Sequence, residues 1–153
     1  METESFGSIE RHTRGLTNVV LPPLMLDARQ EPSKYGSTGS ADAVVAINLC
    51  HIAPFEATLG LLAGCGRVLR PGGRLCLFGP FLLDGQATPS SARYDRELRE
   101  RRSFWGLRDL GDIEAAAAEH ALVRCALDRM PSDNYFLVLE KRAMEASDAR
   151  GGA

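Results

Sequence analysis

The sequence lacks the features by which several protein classes are recognised. Its 153 residues include four cysteines and three histidines, and none lie at spacings typical of zinc sites, such as Cys-x-x-Cys. No apolar stretch is long enough to cross a bilayer, and the first residues carry charges where a secretory signal would be apolar. We therefore expect no metal site, no membrane attachment, and a cytoplasmic or nuclear protein with free thiols.

An excess of charge of either sign is also missing. Lysine and arginine number 18, aspartate and glutamate number 20, and the formal net charge is -2. No overall basic field would attract a phosphate backbone, so we expect no general binding of nucleic acid. The chain length and 44% hydrophobic content suit one globular domain, which we place at residues 15–142. The polar segments 1–14 and 143–153 are predicted to lack fixed structure.

The middle of the chain has the pattern of a strand, a helix and a second strand. Residues 41–48 form a short apolar run with two adjacent valines, which predicts a strand buried on both faces of a parallel sheet. Residues 54–69 have helical spacing, and residues 74–78 predict a second buried strand. This order indicates a right-handed crossover of the α/β class. The glycines at 72 and 73 follow a helix and precede a strand, so they indicate a helix stop and not a phosphate-binding loop.

Weaker patterns flank this unit. Residues 19–26 are apolar but contain two prolines, which cannot donate hydrogen bonds to a sheet, so they predict a short edge strand ending near Asp27. The other predicted elements are a helix over residues 91–102, a helix over residues 110–120 capped by Asp109, and an antiparallel hairpin of residues 122–129 and 135–142.

Two polar residues follow the predicted strand over residues 41–48. Ligands of open α/β sheets bind at the carboxyl ends of the strands, which makes Asn48 a candidate hydrogen-bonding residue for a cofactor or substrate. His51 is a candidate general base, because an imidazole titrates near neutral pH. The alternative is that His51 is a hydrogen-bonded residue that shapes the turn before Pro54.

Three further residues are candidates for binding a substrate. Trp105 and Arg108 would belong to a lid, in which the planar guanidinium recognises an anionic group, and Asn134 would reach the cleft from the hairpin turn. The alternatives are that Trp105 anchors the core and that Asn134 simply suits a turn.

Several segments together resemble a known enzyme superfamily. The segment VLRPGGRLCLF, at residues 68–78, is similar to the helix-turn-strand segment of class I S-adenosylmethionine (SAM) methyltransferases. Five more segments, in the same order and spacing, resemble the methyltransferase-like 26 family, a poorly characterised group of SAM-dependent methyltransferase-like proteins. They are GLTNV (15–19), INLCHIAPFEAT (47–58), GPF (79–81), WGLRD (105–109) and MPSDN (130–134).

The resemblance implies a Rossmann-like α/β fold, SAM as cofactor and an unknown methyl acceptor. Asp27 lies at the position where the family's SAM pocket has an acidic residue facing the adenine amino group. A carboxylate there can accept a hydrogen bond from that amino group. An aspartate that caps a loop is the alternative. Asn48 and Leu49 are the other expected cofactor-binding residues.

One departure from the family limits what the resemblance implies. Members begin with a strand and a Gly-x-Gly turn, followed by a strand that ends in an acidic residue, and nothing before Gly15 resembles these. We therefore expect an incomplete Rossmann-like sheet, mostly parallel with a carboxy-terminal antiparallel hairpin, and impaired SAM binding. The strand over residues 41–48 is expected to expose an apolar edge through which chains associate. Two hypotheses follow: a methyltransferase of unknown substrate, or a non-catalytic truncated isoform or fragment that acts through protein association.

Overall fold

The computed structural model of the chain describes residues 4–19 and 22–143. Its helices are α1 (Glu4–Thr13), α2 (Phe55–Val68), α3 (Pro89–Arg101) and α4 (Leu110–Ala118), with a short 3-10 helix at Pro32–Tyr35. Its strands are β1 (Ala41–Ile47), β2 (Leu69–Leu82), β3 (Arg108–Asp109), β4 (Leu122–Met130) and β5 (Asn134–Lys141).

The strands form an open, mixed sheet in the order β1-β2-β5-β4, and the two-residue strand β3 pairs separately with β2. β1 and β2 run parallel and are joined through α2, as the strand-helix-strand pattern predicts. β5 runs antiparallel to both β2 and β4. The predicted α/β class and the carboxy-terminal hairpin are therefore confirmed, and among the described strands parallel pairing occurs between β1 and β2 and between β2 and β3.

The hydrophobic core lies between the sheet and the pair of helices α2 and α4. Alternate residues of β2 and β5 point into it, because side chains along a strand alternate between the two faces. Fully buried residues of this layer include Leu62, Cys65, Leu75, Leu77, Ile113, Leu137 and Leu139. In β2, Leu75 and Leu77 alternate with the less buried Cys76 and Phe78, and this pattern favours one register over a slip by one residue.

β1 forms one edge of the sheet, which corrects two predictions. Val44 and Ala46 pack against the core, but Val45 and Ile47 on the opposite face are 60% and 63% exposed, so the strand is not buried on both faces. Residues 22–26 form no strand, and residues 20 and 21 lie outside the described part of the chain. Pro22 and Pro23 lack the N–H groups that pairing with β1 would require.

The boundaries of other elements differ modestly from expectation. α2 ends at Val68, and β2 begins at once at Leu69, so the strand is longer than the predicted residues 74–78. The Pro-Gly-Gly turn lies in an irregular stretch of β2, where Gly72 has a φ of 78° and the pairing with β1 shifts register. Asp109 caps α4 as predicted, because its carboxylate accepts a hydrogen bond from the Gly111 N–H at 2.8 Å.

The amino-terminal segment is more regular than its composition predicts. Residues Glu4–Thr13 form α1, where no fixed structure was expected. Of the predicted disordered tail, residues 144–153 lie outside the described residues. Within residues 4–19 and 22–143, no helix has the length and apolar character needed to span a membrane.

Candidate functional site

Two cavities lie on either side of the carboxyl end of β1. The first, which we call the polar cavity, has a volume of about 550 Å³ and lies between this strand end, α3 and the β4–β5 turn. The second, the apolar cavity, has a volume of about 740 Å³ and lies between β1, α2 and the segment before β1. The polar cavity is lined by Asn48, His51, Ile52, Phe78, Tyr94 and Asn134, among others. The apolar cavity is lined by Asp27, Tyr35, Val44, Leu49, Ile52 and Phe104, among others.

The end of β1 turns sharply at Asn48. Its N–H donates to the Phe78 carbonyl at 2.8 Å, and its φ of 55° is left-handed, a conformation that asparagine tolerates better than most residues. A Cβ built on Gly79 would lie 3.4 Å from His51 Nδ1 and 3.6 Å from Asn48 Oδ1. The two side chains therefore converge above the Gly79 backbone at one wall of the polar cavity.

His51 lines this cavity although only 4% of its surface is exposed. Burial, together with the positive charge of Arg108, lowers the pKa of the imidazole below its ordinary value. The neutral form therefore dominates at neutral pH, and a neutral imidazole can accept a proton. No described residue hydrogen-bonds to the ring, and its centroid lies 5.9 Å from that of the Tyr94 ring.

Asp27 forms part of the wall of the apolar cavity and is paired with Arg29. The Arg29 Nε donates to Oδ1 at 3.0 Å, Nη2 donates to Oδ2 at 2.7 Å, and the backbone N–H of Arg29 also donates to Oδ1. These hydrogen bonds lower the pKa of the carboxyl to about 2. Asp27 is thus ionised and fixed, and a ligand amine would have to share it with Arg29.

A carboxylate in the β4–β5 turn connects this turn to the start of α3. Asp133 accepts hydrogen bonds from Ser90 Oγ, from Thr88 Oγ1 at 2.7 Å and from Arg129 Nη2 at 3.1 Å, and Thr88 caps α3. The hydrogen bond from Ser90 contributes most to lowering the pKa of Asp133, to about 2. The contact fixes the far wall of the polar cavity.

The proposed lid residues lie elsewhere. Arg108 donates to three backbone carbonyls, those of Cys50, Ala53 and Phe104, and its guanidinium lies over the ring of Phe55. Trp105 is half-buried and lines neither of the two cavities.

The side chains of residues 4–19 and 22–143 gather no group of three or more histidine, cysteine or acidic residues of the kind that holds a metal ion.

A family described as "Protein of unknown function (DUF938)" matches residues 1–141. The chain belongs to this family.

Many solved structures share the fold of the DUF938 chain. An O-methyltransferase family protein from Burkholderia thailandensis aligns over 92% of this chain with a TM-score of 0.67 and 20% identity. A Galdieria sulphuraria protein, provisionally named a sarcosine dimethylglycine methyltransferase, aligns over 92% with a TM-score of 0.71 and 13% identity. Human N-acetylserotonin methyltransferase, solved in complex with SAM, aligns over 78% with a TM-score of 0.61 and 14% identity.

These similarities show that the chain shares the Rossmann-like α/β fold of the parts of these methyltransferases with which it aligns. The chain spans 41%, 67% and 33% of the lengths of the three proteins, respectively. What they bind and act on is therefore a property of those proteins.

The structure divides the predicted site residues among three places. Asp27 and Leu49 line the apolar cavity, while Asn48, His51 and Asn134 line the polar cavity. The side-chain amide of Asn134 donates to the Pro131 carbonyl at 3.1 Å, and no described residue donates a hydrogen bond to its side-chain oxygen. Trp105 and Arg108 line neither cavity, and Arg108 has the contacts of a structural residue.

Sequence reasoning missed Tyr35 and Tyr94. The Tyr35 hydroxyl donates to the Ala28 carbonyl at 3.3 Å, and burial raises the pKa of Tyr35 to about 12, so it is a neutral wall of the apolar cavity. Tyr94 is an aromatic residue within a strongly charged helical segment. A single aromatic residue in such a segment indicates that this face of the helix contacts a cavity or another part of the protein.

Proposed function

We propose that this chain is a SAM-dependent methyltransferase of a small molecule, with SAM in the apolar cavity and the methyl acceptor in the polar cavity. The observation that carries the proposal is that the two cavities meet at Ile52, beside the turn that ends β1. In open α/β sheets the carboxyl ends of the strands are where ligands bind. The class I methyltransferase fold and the resemblance to the methyltransferase-like 26 family support the same assignment.

The apolar cavity has the size and lining that the cofactor requires. Its volume lies within the range of small-molecule sites, and its walls are mainly aliphatic and aromatic, with one ionised carboxylate at Asp27. Leu49 and Tyr35 would contact the adenosyl group, and Asp27 would accept from an amine or hydroxyl. SAM supplies an electrophilic methyl group, so the protein has mainly to align the acceptor.

The polar cavity suits an acceptor with a dissociable proton. Neutral His51 would accept that proton, while Asn48 and the free side-chain oxygen of Asn134 would form hydrogen bonds that orient the acceptor. A small hydroxylated or amino compound matches the cavity volume of about 550 Å³. The net charge of -2 favours such an acceptor over nucleic acid.

We further propose that SAM binding by residues 1–153 is weak. The apolar cavity is bounded on one side by the edge strand β1, and no described strand pairs with the other edge of β1. A cofactor that is enclosed on one side only makes fewer packed, desolvated contacts than a fully enclosed one. Because affinity depends on such contacts, its binding is weaker.

Calorimetric titration with SAM tests the assignment of the apolar cavity. We expect weak but measurable binding by the wild-type chain, and loss of binding in Leu49→Trp, because the larger side chain would fill the space for the ligand. Leu83→Trp, which changes a leucine outside both cavities, is the matched control and should bind as the wild type does. No heat from the wild-type chain with millimolar SAM would refute autonomous methyl transfer, and equal binding by Leu49→Trp would place the cofactor elsewhere.

A second candidate function is self-association through the free edge of β1. The exposed Val45 and Ile47 lie on this strand, whose only charged residue is Asp42. An exposed, mainly apolar edge strand is a template for pairing with another chain. The opposite edge, β4, carries Arg124, Asp128 and Arg129 and a register irregularity, features that discourage such pairing.

Sedimentation velocity distinguishes the two edges. We expect concentration-dependent dimers or larger species of the wild-type chain and mainly monomers of Val45→Lys, since a lysine at an edge opposes strand pairing. Val123→Lys makes the same change on β4 and should leave association unchanged. A wild-type chain that stays monomeric at high concentration would exclude this second function.

A further inference from the structure

The segment that carries His51 is fastened through its backbone. The Cys50 carbonyl accepts a hydrogen bond from Arg108 Nε at 3.1 Å, and the Ala53 carbonyl accepts one from Arg108 Nη2 at 2.8 Å. Between them, the His51 carbonyl accepts from the Gly106 N–H at 3.0 Å. Three carbonyls within four consecutive residues are therefore held by two residues of one neighbouring segment.

Arg108 is itself fixed in place. Its Nη2 also donates to the Phe104 carbonyl at 2.7 Å, and its Cζ lies 5.6 Å from the centroid of the Phe55 ring, within cation–π distance. Hydrogen bonds from the rigid, planar guanidinium to several carbonyls lose little side-chain entropy. Arg108 therefore joins the segment before β3, the start of α2 and the segment that carries His51.

We call the hydrogen bonds from Arg108 and Gly106 to the segment from Cys50 to Ala53 the clamp. The segment that donates them is also bound to α3. The Leu107 N–H donates to Asp95 Oδ1 at 2.6 Å, and Arg99 Nε donates to Asp95 Oδ2 at 2.8 Å. A Cβ on Gly106 would lie 2.7 Å from Arg99 Cζ and 2.9 Å from Asp95 Oδ1, and its φ of 146° is one that other residues rarely adopt. Glycine at this position therefore allows the segment to lie close to both α3 and His51.

The clamp matters because the imidazole has no partner of its own among the described residues. A catalytic histidine is usually oriented by a hydrogen bond to one of its ring nitrogens. Here the orientation of the ring depends on the backbone position of His51 and on packing against Gly79 and Tyr94. Movement of the segment would therefore move the ring away from the polar cavity.

We propose that Arg108 is a positioning residue for His51, which holds the segment from Cys50 to Ala53 so that the imidazole faces the polar cavity. It acts through the backbone and does not touch the acceptor. The use of His51 as a base rests on the proposed function. The hydrogen bonds by which Arg108 holds the segment can be tested without measuring enzyme activity.

The charges around His51 determine how its titration would respond. The guanidinium of Arg108 faces the segment from β3, and Tyr94 and Arg93 face the cavity from α3. Asp133 faces the cavity from the β4–β5 turn, where it accepts hydrogen bonds from Arg129 and from the hydroxyls of Thr88 and Ser90. Cys50 adjoins it, and burial raises the pKa of that thiol, so it adds no charge at neutral pH. Removing the charge of Arg108 is therefore expected to raise the pKa of His51.

NMR of the full chain, with labelled histidine, tests the proposal by two readouts. In Arg108→Gln the pKa of His51 should rise toward its ordinary value, and the Gly106 amide should exchange at least about tenfold faster, because the guanidinium that holds the segment is gone. Arg108→Lys keeps the positive charge but loses the planar guanidinium. Exchange of the Gly106 amide should therefore become faster, while the pKa of His51 should rise less than in Arg108→Gln. Arg124→Gln, which removes a guanidinium paired with Glu114 on α4, is the control and should alter neither readout.

Unchanged Gly106 exchange in both Arg108 variants would overturn the proposal. So would rapid exchange of the Arg108 Nε–H in the wild-type protein, a measurement that holds even if a variant fails to fold. Neither readout requires SAM, so absence of SAM binding alongside an intact clamp would refute the methyltransferase assignment and leave the positioning role standing.

Discussion

Replacement of Leu137 by alanine is expected to lower the free energy of unfolding by about 2–5 kcal/mol. Leu137 is fully buried in β5, where it pairs with Leu77 of β2 on one side and Leu127 of β4 on the other. The change removes apolar contacts and leaves a cavity that a sheet held from both sides cannot readily close. Urea unfolding followed by circular dichroism measures the loss.

Leu24→Ala is the matched control, because the same atoms are removed from a side chain that is 86% exposed. It should change stability by no more than about 0.5 kcal/mol. A loss of less than about 1 kcal/mol in Leu137→Ala would mean that the layer between the sheet and the helices α2 and α4 is not closely packed. Since small domains are stable by only about 5–15 kcal/mol, the expected loss would leave many chains unfolded at elevated temperature.

Gly60→Ala is expected to destabilise the protein by about 1–3 kcal/mol, although alanine is normally preferred to glycine inside a helix. The added Cβ would overlap the Ala28 carbonyl oxygen and lie 2.9 Å from its carbonyl carbon and 3.1 Å from Arg29 Cα. These are backbone atoms, so no side-chain rotation can relieve the clash. The segment that carries Asp27 would have to move away from α2, and we expect thermal unfolding at lower temperature and weaker SAM binding.

The control for this prediction is Gly7→Ala in α1. Its new Cβ would meet only the end of the Arg11 side chain, at 3.6 Å, so helix propensity should decide the outcome. We expect no loss of stability there and a gain of up to about 1 kcal/mol. If Gly60→Ala were equally tolerated, the segment from Asp27 to Arg29 would not be packed on α2 as described.

The elements that could be predicted from sequence are those whose patterns reflect one local cause. α2, β1, α4 with its Asp109 cap and the terminal hairpin all follow from periodicity, a capping residue or a turn composition. The strand prediction is wrong for residues 22–26, because apolar character favoured a strand, while Pro22, Pro23 and the lack of a described neighbour beyond β1 oppose one. α1 was missed because a polar amphipathic segment resembles a disordered one in composition.

The site was predictable only in part, for a related reason. Asn48 and His51 were predicted to lie at the carboxyl end of a strand, where ligands of open sheets bind, and both line the polar cavity. The hydrogen bonds of Arg108 could not be predicted, because its partners at Cys50 and Ala53 lie 58 and 55 residues earlier in the chain. A guanidinium is equally suited to an anionic ligand and to backbone carbonyls, and only the fold determines which it meets.

The open edge at β1 links the apolar cavity to the association of the chain with a pairing strand. Val44 and Val45 belong both to the edge strand and to the wall of the apolar cavity. A strand that paired with β1 would therefore add a wall to that cavity. By thermodynamic reciprocity, any ligand that the new wall favours would in turn strengthen the pairing, by the same factor.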